Sequence, residues 1–232
     1  MRILLTRARE DAERTAEKLA SLGHEAEIAP VLRIVPTGDP MPDASYAALI
    51  VTSAHAMEAL SDFANKSLPV FSVGERTSDA LREGGFTSIE TAEGDAVSLS
   101  ALIRRQVEPP YTFLHVTARH HKEEPAVSLR AAGFTLLTWE AYEAEALASL
   151  PEAAVESLRT GKIGAVLHYS RRSAELFIQL AEQAGLRSAI LGCLHLCLSA
   201  DVAVPLEAMG AATRIAGGPH ENELLELVRG LS

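Results

Sequence analysis

The stretch Arg9–Leu32, REDAERTAEKLASLGHEAEIAPVL, has a weaker copy at Arg119–Tyr142, RHHKEEPAVSLRAAGFTLLTWEAY. The two stretches align without gaps, and Gly23 of the first corresponds to Gly133 of the second. Each begins with a polar turn, continues with helical spacing of Ala and Leu, and passes through the glycine into a run typical of a strand. The sequence therefore contains two copies of one β-α-β unit.

Two further pairs of segments follow in the same order. Ala48–Leu60, ALIVTSAHAMEAL, matches Ala165–Phe177, AVLHYSRRSAELF, and Val70–Gly85 matches His195–Gly210. Because these copies extend over nearly the whole chain, we predict two similar α/β domains with parallel sheets. A cleft between two domains is a common place for a ligand, and we expect the site there.

The composition supports this fold and limits the partners. Of 232 residues, 47% are hydrophobic and only 5% aromatic, as suits parallel sheets covered by helices. The net charge of −10 argues against binding to nucleic acid or to an anionic membrane surface. We find no apolar signal region and no run of about 18 apolar residues, so a cytoplasmic protein with no membrane partner is expected.

The strand-to-helix turns are the predicted functional elements. We predict a strand at Ile3–Leu5, a helix at Asp11–Leu22 and a strand at Glu27–Val35, and this alternation continues along the chain. Sites in parallel sheets form at the carboxyl ends of the strands, where helix N-termini attract anions. The turns at these ends are polar and several are basic, which suits a ligand with many carboxylates: 6–10, 52–55, 74–77, 117–120, 169–172 and 198–201.

Two groups of possible metal ligands have simpler explanations. Cys193 and Cys197 fall in Ile190–Leu198, which the pattern predicts to be a strand. At about 3.3 Å per residue the two Cα atoms would lie about 13 Å apart, too far for one zinc ion, so we interpret both as core residues. The pair His120 and His121 has no obvious further ligand and predicts a solvated or anion-facing turn.

Three hydroxyl side chains stand out at special positions. Ser53 and Ser170 occupy equivalent places in the repeat, where a helix N-cap belongs, and the same hydroxyls could also contact an anion. Tyr142 lies where the chain should cross between the domains. Its phenol could donate a proton into the cleft, or it could be an interface tyrosine with a packed ring and a hydrated hydroxyl.

The ordered set of these segments resembles the uroporphyrinogen-III synthase family. The resemblance covers almost the whole chain and depends on order and spacing more than on any single motif. The matching segments are LTR at 5–7, PVLRIVP at 30–36, LIVTSAHAM at 49–57, FSVGERTSDAL at 71–81, VTAR at 116–119, EAY at 140–142 and HLCLSADVA at 195–203.

The resemblance implies a specific domain arrangement. It implies two flavodoxin-like α/β domains, one of them discontinuous, joined by a two-stranded linker with the ligand cleft between them. The expected boundaries give a discontinuous domain of residues 1–35 plus 146–232 and an inserted domain of residues 36–145.

The resemblance also implies the reaction. The substrate would be hydroxymethylbilane, a linear tetrapyrrole with eight carboxylates. The enzyme, a lyase, would remove the terminal hydroxyl as water, invert the last pyrrole ring through a spiro intermediate and close the macrocycle to uroporphyrinogen III. It would need no metal or organic cofactor, and catalysis would depend largely on holding one substrate conformation.

Site residues carry over from the family by position. Tyr142 would assist departure of the hydroxyl as a general acid. Turn residues would bind substrate carboxylates through amides and hydroxyls, and we add basic residues because a protein of charge −10 must counter the substrate charge locally. The first group is Thr52, Ser53, Gly74, Ser170 and Ser199, and the second is Arg7, Arg119, Lys122 and Arg172.

One alternative belongs to another class of protein. A non-catalytic two-domain cytosolic protein that binds a polyanionic small molecule would have the same fold and the same polar turns. For the synthase we expect a monomer whose only stable partner is the linear tetrapyrrole. Because that substrate is unstable, transient contact with the preceding pathway enzyme is also expected.

Overall fold

The computed structural model describes residues 1–121, 123–218 and 220–231. Its strands, β1 to β11, span Arg2–Leu5, Glu25–Ile28, Leu32–Pro36, Ala48–Val51, Val70–Val73, Ile89–Ala92, Thr112–Ala118, Thr135–Ala146, Ile163–His168, Leu194–Cys197 and Ala212–Ile215. Its helices, α1 to α9, span Arg9–Ser21, Gly74–Glu83, Ala96–Gln106, Ala126–Ala131, Glu152–Arg159, Arg171–Gln183, Arg187–Leu191, Ala200–Ala208 and Glu221–Arg229. A short 3₁₀ helix spans Ala54–Met57.

The chain divides into two compact units. Unit 1 comprises Met1–Arg33 and Glu145–Ser232, and unit 2 comprises Ile34–Ala144. Both boundaries fall inside strands, because β3 and β8 each continue from one unit into the other. These two strands are neighbours in the sheet of unit 2.

The sheet of unit 1 has the strand order β11-β10-β9-β1-β2. All four neighbouring pairs are parallel. Counted along the chain, this is the 2-1-3-4-5 order of flavodoxin-like sheets. The first strand lies beside β9, so the beginning of the chain forms one sheet with its last third.

The sheet of unit 2 has the order β3-β8-β7-β4-β5-β6. Leaving out β3, the series β8-β7-β4-β5-β6 repeats the spatial series β2-β1-β9-β10-β11, with every pair again parallel. The sequence copies therefore correspond to equivalent strands in a different chain order. The predicted fold class, two α/β units with parallel sheets, one of them discontinuous, is confirmed.

Both sheets are covered on both faces, as their continuous apolar strands predicted. In β1, Leu4 packs with Phe177 on one face, and Ile3 packs with Leu19 and Val228 on the other. The strand β4, Ala48–Val51, is buried at every residue. Such strands position the polar turns that follow them at a well-defined sheet edge.

The prediction of one strand over Glu27–Val35 is wrong. The chain forms β2 up to Ile28, leaves the sheet near Pro30 and begins β3 at Leu32. Proline lacks the N–H that a central ladder needs. Val31 donates to Thr6 and accepts from Leu147 in unit 1, after which β3 joins the other sheet.

The prediction of a strand over Ile190–Leu198 is also wrong. Helix α7 continues to Leu191, and β10 covers only Leu194–Cys197. Cys193 and Cys197 are nonetheless buried, as expected of core residues. Burial raises the pKa of the Cys193 thiol to about 11, and burial together with the charge of Glu207 raises that of Cys197 to about 12. Both thiols are therefore protonated at neutral pH.

Within the described ranges, no helix combines the length and the apolar character that crossing a membrane requires.

Candidate functional site

The connections of the unit 2 sheet reverse direction between β4 and β7. Such a switch point, at the carboxyl ends of the strands, is where open parallel sheets bind ligands. A cavity of about 290 Å³ lies at this place. Its lining includes Thr52, Val73, His115, Thr117, His121 and Tyr142.

A bulge in β8 sets the position of Tyr142. Thr117 of β7 pairs with Glu140, but the next residue, Ala118, pairs with Tyr142, so that Ala141 is an extra residue in β8. A bulge of this kind bends a strand and turns a side chain away from the regular alternation. The backbone N–H of Arg119 donates to the carbonyl of Tyr142 at 2.9 Å and holds the bulge in place.

The Tyr142 phenol is protonated at neutral pH. Burial raises its pKa above the ordinary value, and a hydrogen bond with Ser53 offsets only part of that effect. The residue is 7% exposed, and its ring lies 6.3 Å from that of His55, centroid to centroid. The phenol is therefore present as a neutral O–H group in the lining of the cavity.

Ser53 and Ser170 occupy the N-cap positions that the sequence predicted. The Ser53 Oγ accepts from the backbone N–H of His55 at 3.3 Å, at the start of the 3₁₀ helix. The Ser170 Oγ accepts from the backbone N–H of Ser173 at 3.1 Å, at the start of α6. Ser53 has a second role, because the same side chain contacts Tyr142.

His115 lies in β7 and also lines the cavity. It is 1% exposed, and within the described ranges neither of its ring nitrogens has a hydrogen-bond partner. The sequence analysis missed this residue. The available signal was one polar side chain inside the apolar run Phe113–Val116, which a strand buried on both faces does not ordinarily contain.

At the switch point of unit 1, between β1 and β9, charged and aromatic side chains contact one another. The guanidinium of Arg7 lies 4.0 Å from the centroid of the Tyr169 ring. It donates to Glu221 at 2.7 Å and to Asp11 at 3.2 Å. The predicted basic residue Arg7 thus has carboxylate partners within unit 1. Sequence reasoning missed Tyr169 and Glu221, because nothing local links them to Arg7.

Arg119 also has acidic partners. Its guanidinium donates to Glu143 at 2.9 Å and to Asp39 at 2.8 Å, and it lies 3.8 Å from Glu140. The hydrogen bond with Asp39, followed by the charges of the neighbouring carboxylates, raises the pKa of Arg119. Arg119 therefore organises an acidic cluster beside the bulge.

The remaining predicted residues divide between the units. Gly74 begins α2 of unit 2 with φ of 72°, and a Cβ built there would meet nothing within 4 Å. In unit 1, Arg172 lies in the first turn of α6, and Ser199 directly precedes α8. Lys122 lies outside the described residues. The structure brings together Thr52, Ser53 and Tyr142 around the cavity of unit 2.

Two other features bear on the site. A larger cavity of about 640 Å³ runs along β6 and α3 beside Arg104 and Arg105, at the sheet edge and away from every predicted residue. Across residues 1–121, 123–218 and 220–231, no group of three or more His, Cys, Asp or Glu side chains could hold a metal ion. The switch-point cavity remains the best candidate.

A family model described as uroporphyrinogen-III synthase HemD matches residues 13–226 of this chain. The chain belongs to the uroporphyrinogen-III synthase family. A comparison with curated protein sequences found no match. Uroporphyrinogen-III synthases are enzymes of tetrapyrrole biosynthesis.

A solved structure shows the same fold. The uroporphyrinogen-III synthetase of Helicobacter pylori aligns over 100% of both chains with a TM-score of 0.67 and 16% identity. The wild-type uroporphyrinogen III synthase of Thermus thermophilus aligns over 99% of this chain and 97% of its own, with a TM-score of 0.46 and 17% identity. At such identity the Helicobacter pylori match shows the fold alone.

Proposed function

We propose that this chain is a hydro-lyase that converts hydroxymethylbilane to uroporphyrinogen III, with Tyr142 as its proton donor. One observation carries the assignment of the residue: a bulge places a protonated phenol, hydrogen-bonded to Ser53, at the switch-point cavity. Family membership supplies the reaction. The unit 2 cavity then holds the end of the substrate at which the hydroxyl departs.

The chemical step needs one proton at the leaving oxygen. When the C–O bond of the hydroxymethyl group breaks, Tyr142 donates its proton and the oxygen leaves as water. The pyrrole nitrogen supplies electrons to the cationic carbon that remains. Ring closure later releases one proton from a pyrrole α carbon, which returns to the phenolate, so that the net change is loss of one water. Because burial raises the pKa of the phenol, proton transfer from Tyr142 contributes modestly to the rate enhancement, and control of the substrate conformation contributes more.

Polar groups around the same cavity would bind substrate carboxylates. Thr52 and Thr117 line it, and Ser53 follows Thr52 in the adjoining turn. Gly74 opens α2 at the end of the neighbouring strand β5, and nothing lies within 4 Å of a Cβ built there, so the free N–H groups at this helix start are further candidates for a carboxylate.

We assign the predicted residues of unit 1 to other substrate carboxylates. Ser170 and Arg172 begin α6 after β9, and Ser199 precedes α8 after β10, so both helices direct their N-termini toward the carboxyl edge of their sheet. Arg7 and Arg119 would act through their charge, reduced by the acidic partners described above. Lys122 belongs to the proposal by sequence position only.

A product assay tests the proposed function. The purified chain is supplied with enzymatically generated hydroxymethylbilane, and the uroporphyrinogen isomers are separated. Uncatalysed closure yields type I, so a dominant type III product supports the synthase. A product containing type I only, as in the heat-denatured control, would refute it. A non-catalytic binding protein would leave type I as the product while still binding the tetrapyrrole.

We also propose that the chain works as a monomer in the cytoplasm and receives its substrate by transient contact with the enzyme that makes it. The instability of the substrate supports such a hand-over. Sedimentation of the purified chain, with and without the preceding enzyme, tests both statements. A stable dimer would contradict the monomer. A yield of type III product that is insensitive to a large inert crowder would support direct hand-over, and a yield that falls with the crowder would contradict it.

A further inference from the structure

His115 is an unusual residue for the middle of a parallel sheet. It pairs in register with Ile50 of β4 and with Thr138 of β8, and its two neighbours in its own strand, Leu114 and Val116, are apolar. An imidazole buried at 1% exposure with no partner for either nitrogen among the described residues destabilises the folded state. A leucine at this position would bury no unpaired polar group and would not destabilise the folded state in this way.

The position of the ring indicates where its partner comes from. His115 lines the cavity, whereas the apolar residues next to it in β7 pack into the core clusters of the sheet. The ring of His121 stands nearly perpendicular to it, with centroids 6.1 Å apart. The Nδ1 of His121 lies 2.8 Å from the Ala118 carbonyl and is occupied by that hydrogen bond. A ligand in the cavity would therefore lie against the His115 side chain, whose buried ring nitrogens have no other partner among the described residues.

The charge state of His115 is defined by its surroundings. Burial, followed by the charges of His121 and Arg130, lowers the pKa of His115 to about 4. At neutral pH the ring is uncharged and offers one N–H donor and one acceptor nitrogen. Glu124 also lines the cavity, but its carboxylate accepts from the hydroxyl and backbone N–H of Ser128. The cavity thus offers neutral donors, with one carboxylate, that of Glu124, in its lining and the positive charge of Arg130 near His115.

We propose that His115 is a substrate-binding residue whose ring N–H donates a hydrogen bond to one carboxylate of the linear tetrapyrrole. The inference rests on the proposed function and adds to it a residue that neither the repeat nor the family pattern selects. The hydroxyls of Thr52 and Thr117 complete the same pocket. Binding by a neutral donor also predicts little dependence on ionic strength, unlike binding by exposed arginines.

Steady-state kinetics of two variants tests the role. His115→Leu removes the donor, and we expect KM to rise about tenfold or more, with kcat changed much less and Tm equal to or above that of the wild type. His115→Gln keeps an N–H donor and should recover most of the KM. The control His195→Leu removes a buried histidine of unit 1 whose two nitrogens are both hydrogen-bonded, so it should lower Tm and leave KM unchanged.

A binding measurement provides a second readout. In ¹⁵N NMR spectra of the wild-type protein, anaerobic uroporphyrinogen III should shift the His115 ring nitrogens and raise the pH at which they titrate, because a carboxylate beside the ring favours its cation. The overturning result is a wild-type KM in His115→Leu with unshifted ring signals. If instead the wild-type protein yields only the type I isomer, the proposed synthase function is wrong. The product assay thus distinguishes failure of the proposed function from failure of the proposed role of His115.

Discussion

The Nη1 of Arg7 donates a 2.7 Å hydrogen bond to Oε1 of Glu221, a residue 214 positions later in the chain. Thr15 and Lys18 donate to the same carboxylate. This contact joins the turn after the first strand to the last helix, and it holds the discontinuous unit 1 together at its switch point. The equivalent place in unit 2 has a cavity of about 290 Å³, lined by residues that include Thr52 and Tyr142.

Replacing Glu221 by Gln should destabilise unit 1 at neutral pH. Burial raises the pKa of Glu221, but the hydrogen bonds from Lys18 and Thr15 and the charge of Arg7 outweigh it, so that the pKa is lowered overall. The lowered pKa means that the stabilisation is present above the unfolded pKa of about 4.3 and is lost as pH falls through the folded pKa. We expect a loss of about 1 to 2 kcal/mol at pH 7 after allowance for solvent screening.

Urea unfolding between pH 7 and pH 3 measures this effect. The difference between the wild type and Glu221→Gln should shrink as the medium becomes more acidic. Glu226→Gln is the matched control, because Glu226 pairs only with the exposed Arg229 among its described neighbours. A constant difference at every pH would argue against the ionised carboxylate as the source.

Replacing Tyr142 by Phe should reduce turnover without unfolding the protein. The change removes the phenol proton and the hydrogen bond with Ser53 while retaining the buried ring. We expect kcat to fall about tenfold, at or below the low end of general acid effects because the phenol is a weak acid. Tyr111→Phe is the control, since that hydroxyl contacts only the Ala47 carbonyl in the described structure, outside the cavity. Equal rates in the two variants would remove Tyr142 from the mechanism.

Replacing Gly74 by Ala should affect both stability and binding. Its φ of 72° is unfavourable for residues with a Cβ, at a cost of about 1 to 2 kcal/mol. The surrounding space is open, so any loss of stability comes from the backbone and not from a clash. If the α2 N-terminus binds a substrate carboxylate, KM should rise as well. Gly230→Ala, at a φ of −82°, is the control and should be nearly neutral in both measurements.

The buried pair of His168 and His195 should make unit 1 sensitive to acid. Their Nε2 and Nδ1 atoms lie 2.9 Å apart, and His195 also bonds the Ile190 carbonyl. Burial lowers the pKa of both residues, and for His168 the charge of His195 lowers it further. Because protonation favours the unfolded chain below its pKa of about 6.5, stability should fall by up to about 1.4 kcal/mol per pH unit for each histidine.

His168→Gln tests this expectation. The amide can still donate to His195 while one ionisable ring is removed, so the fall in unfolding free energy between pH 6.5 and 5 should become shallower. His24→Gln, at a partly exposed histidine of the same unit, is the comparison variant. Denaturant unfolding at several pH values gives the comparison, and identical slopes in all three proteins would contradict the assignment.

Most of the fold could be predicted from the sequence because its signals are local. The repeat of Arg9–Leu32 in Arg119–Tyr142 identified equivalent β-α-β units, and the continuous apolar strands identified parallel sheets covered on both faces. The N-cap positions of Ser53 and Ser170 followed from the same spacing. The errors occurred where one apolar run was divided, at Glu27–Val35 and at Ile190–Leu198, since periodicity does not show where a chain leaves its sheet.

The sequence by itself determined two similar parallel α/β units, the turns that carry their polar residues, and the place of Tyr142 beside the chain crossing. Only the tertiary structure decided what those residues contact. Glu221 meets Arg7 across almost the full chain, a one-residue bulge directs Tyr142 toward the cavity, and His115 has no hydrogen-bond partner within the described ranges. Hydrophobic periodicity reflects burial along one segment, whereas hydrogen bonds and pKa values depend on groups that folding brings together from distant segments.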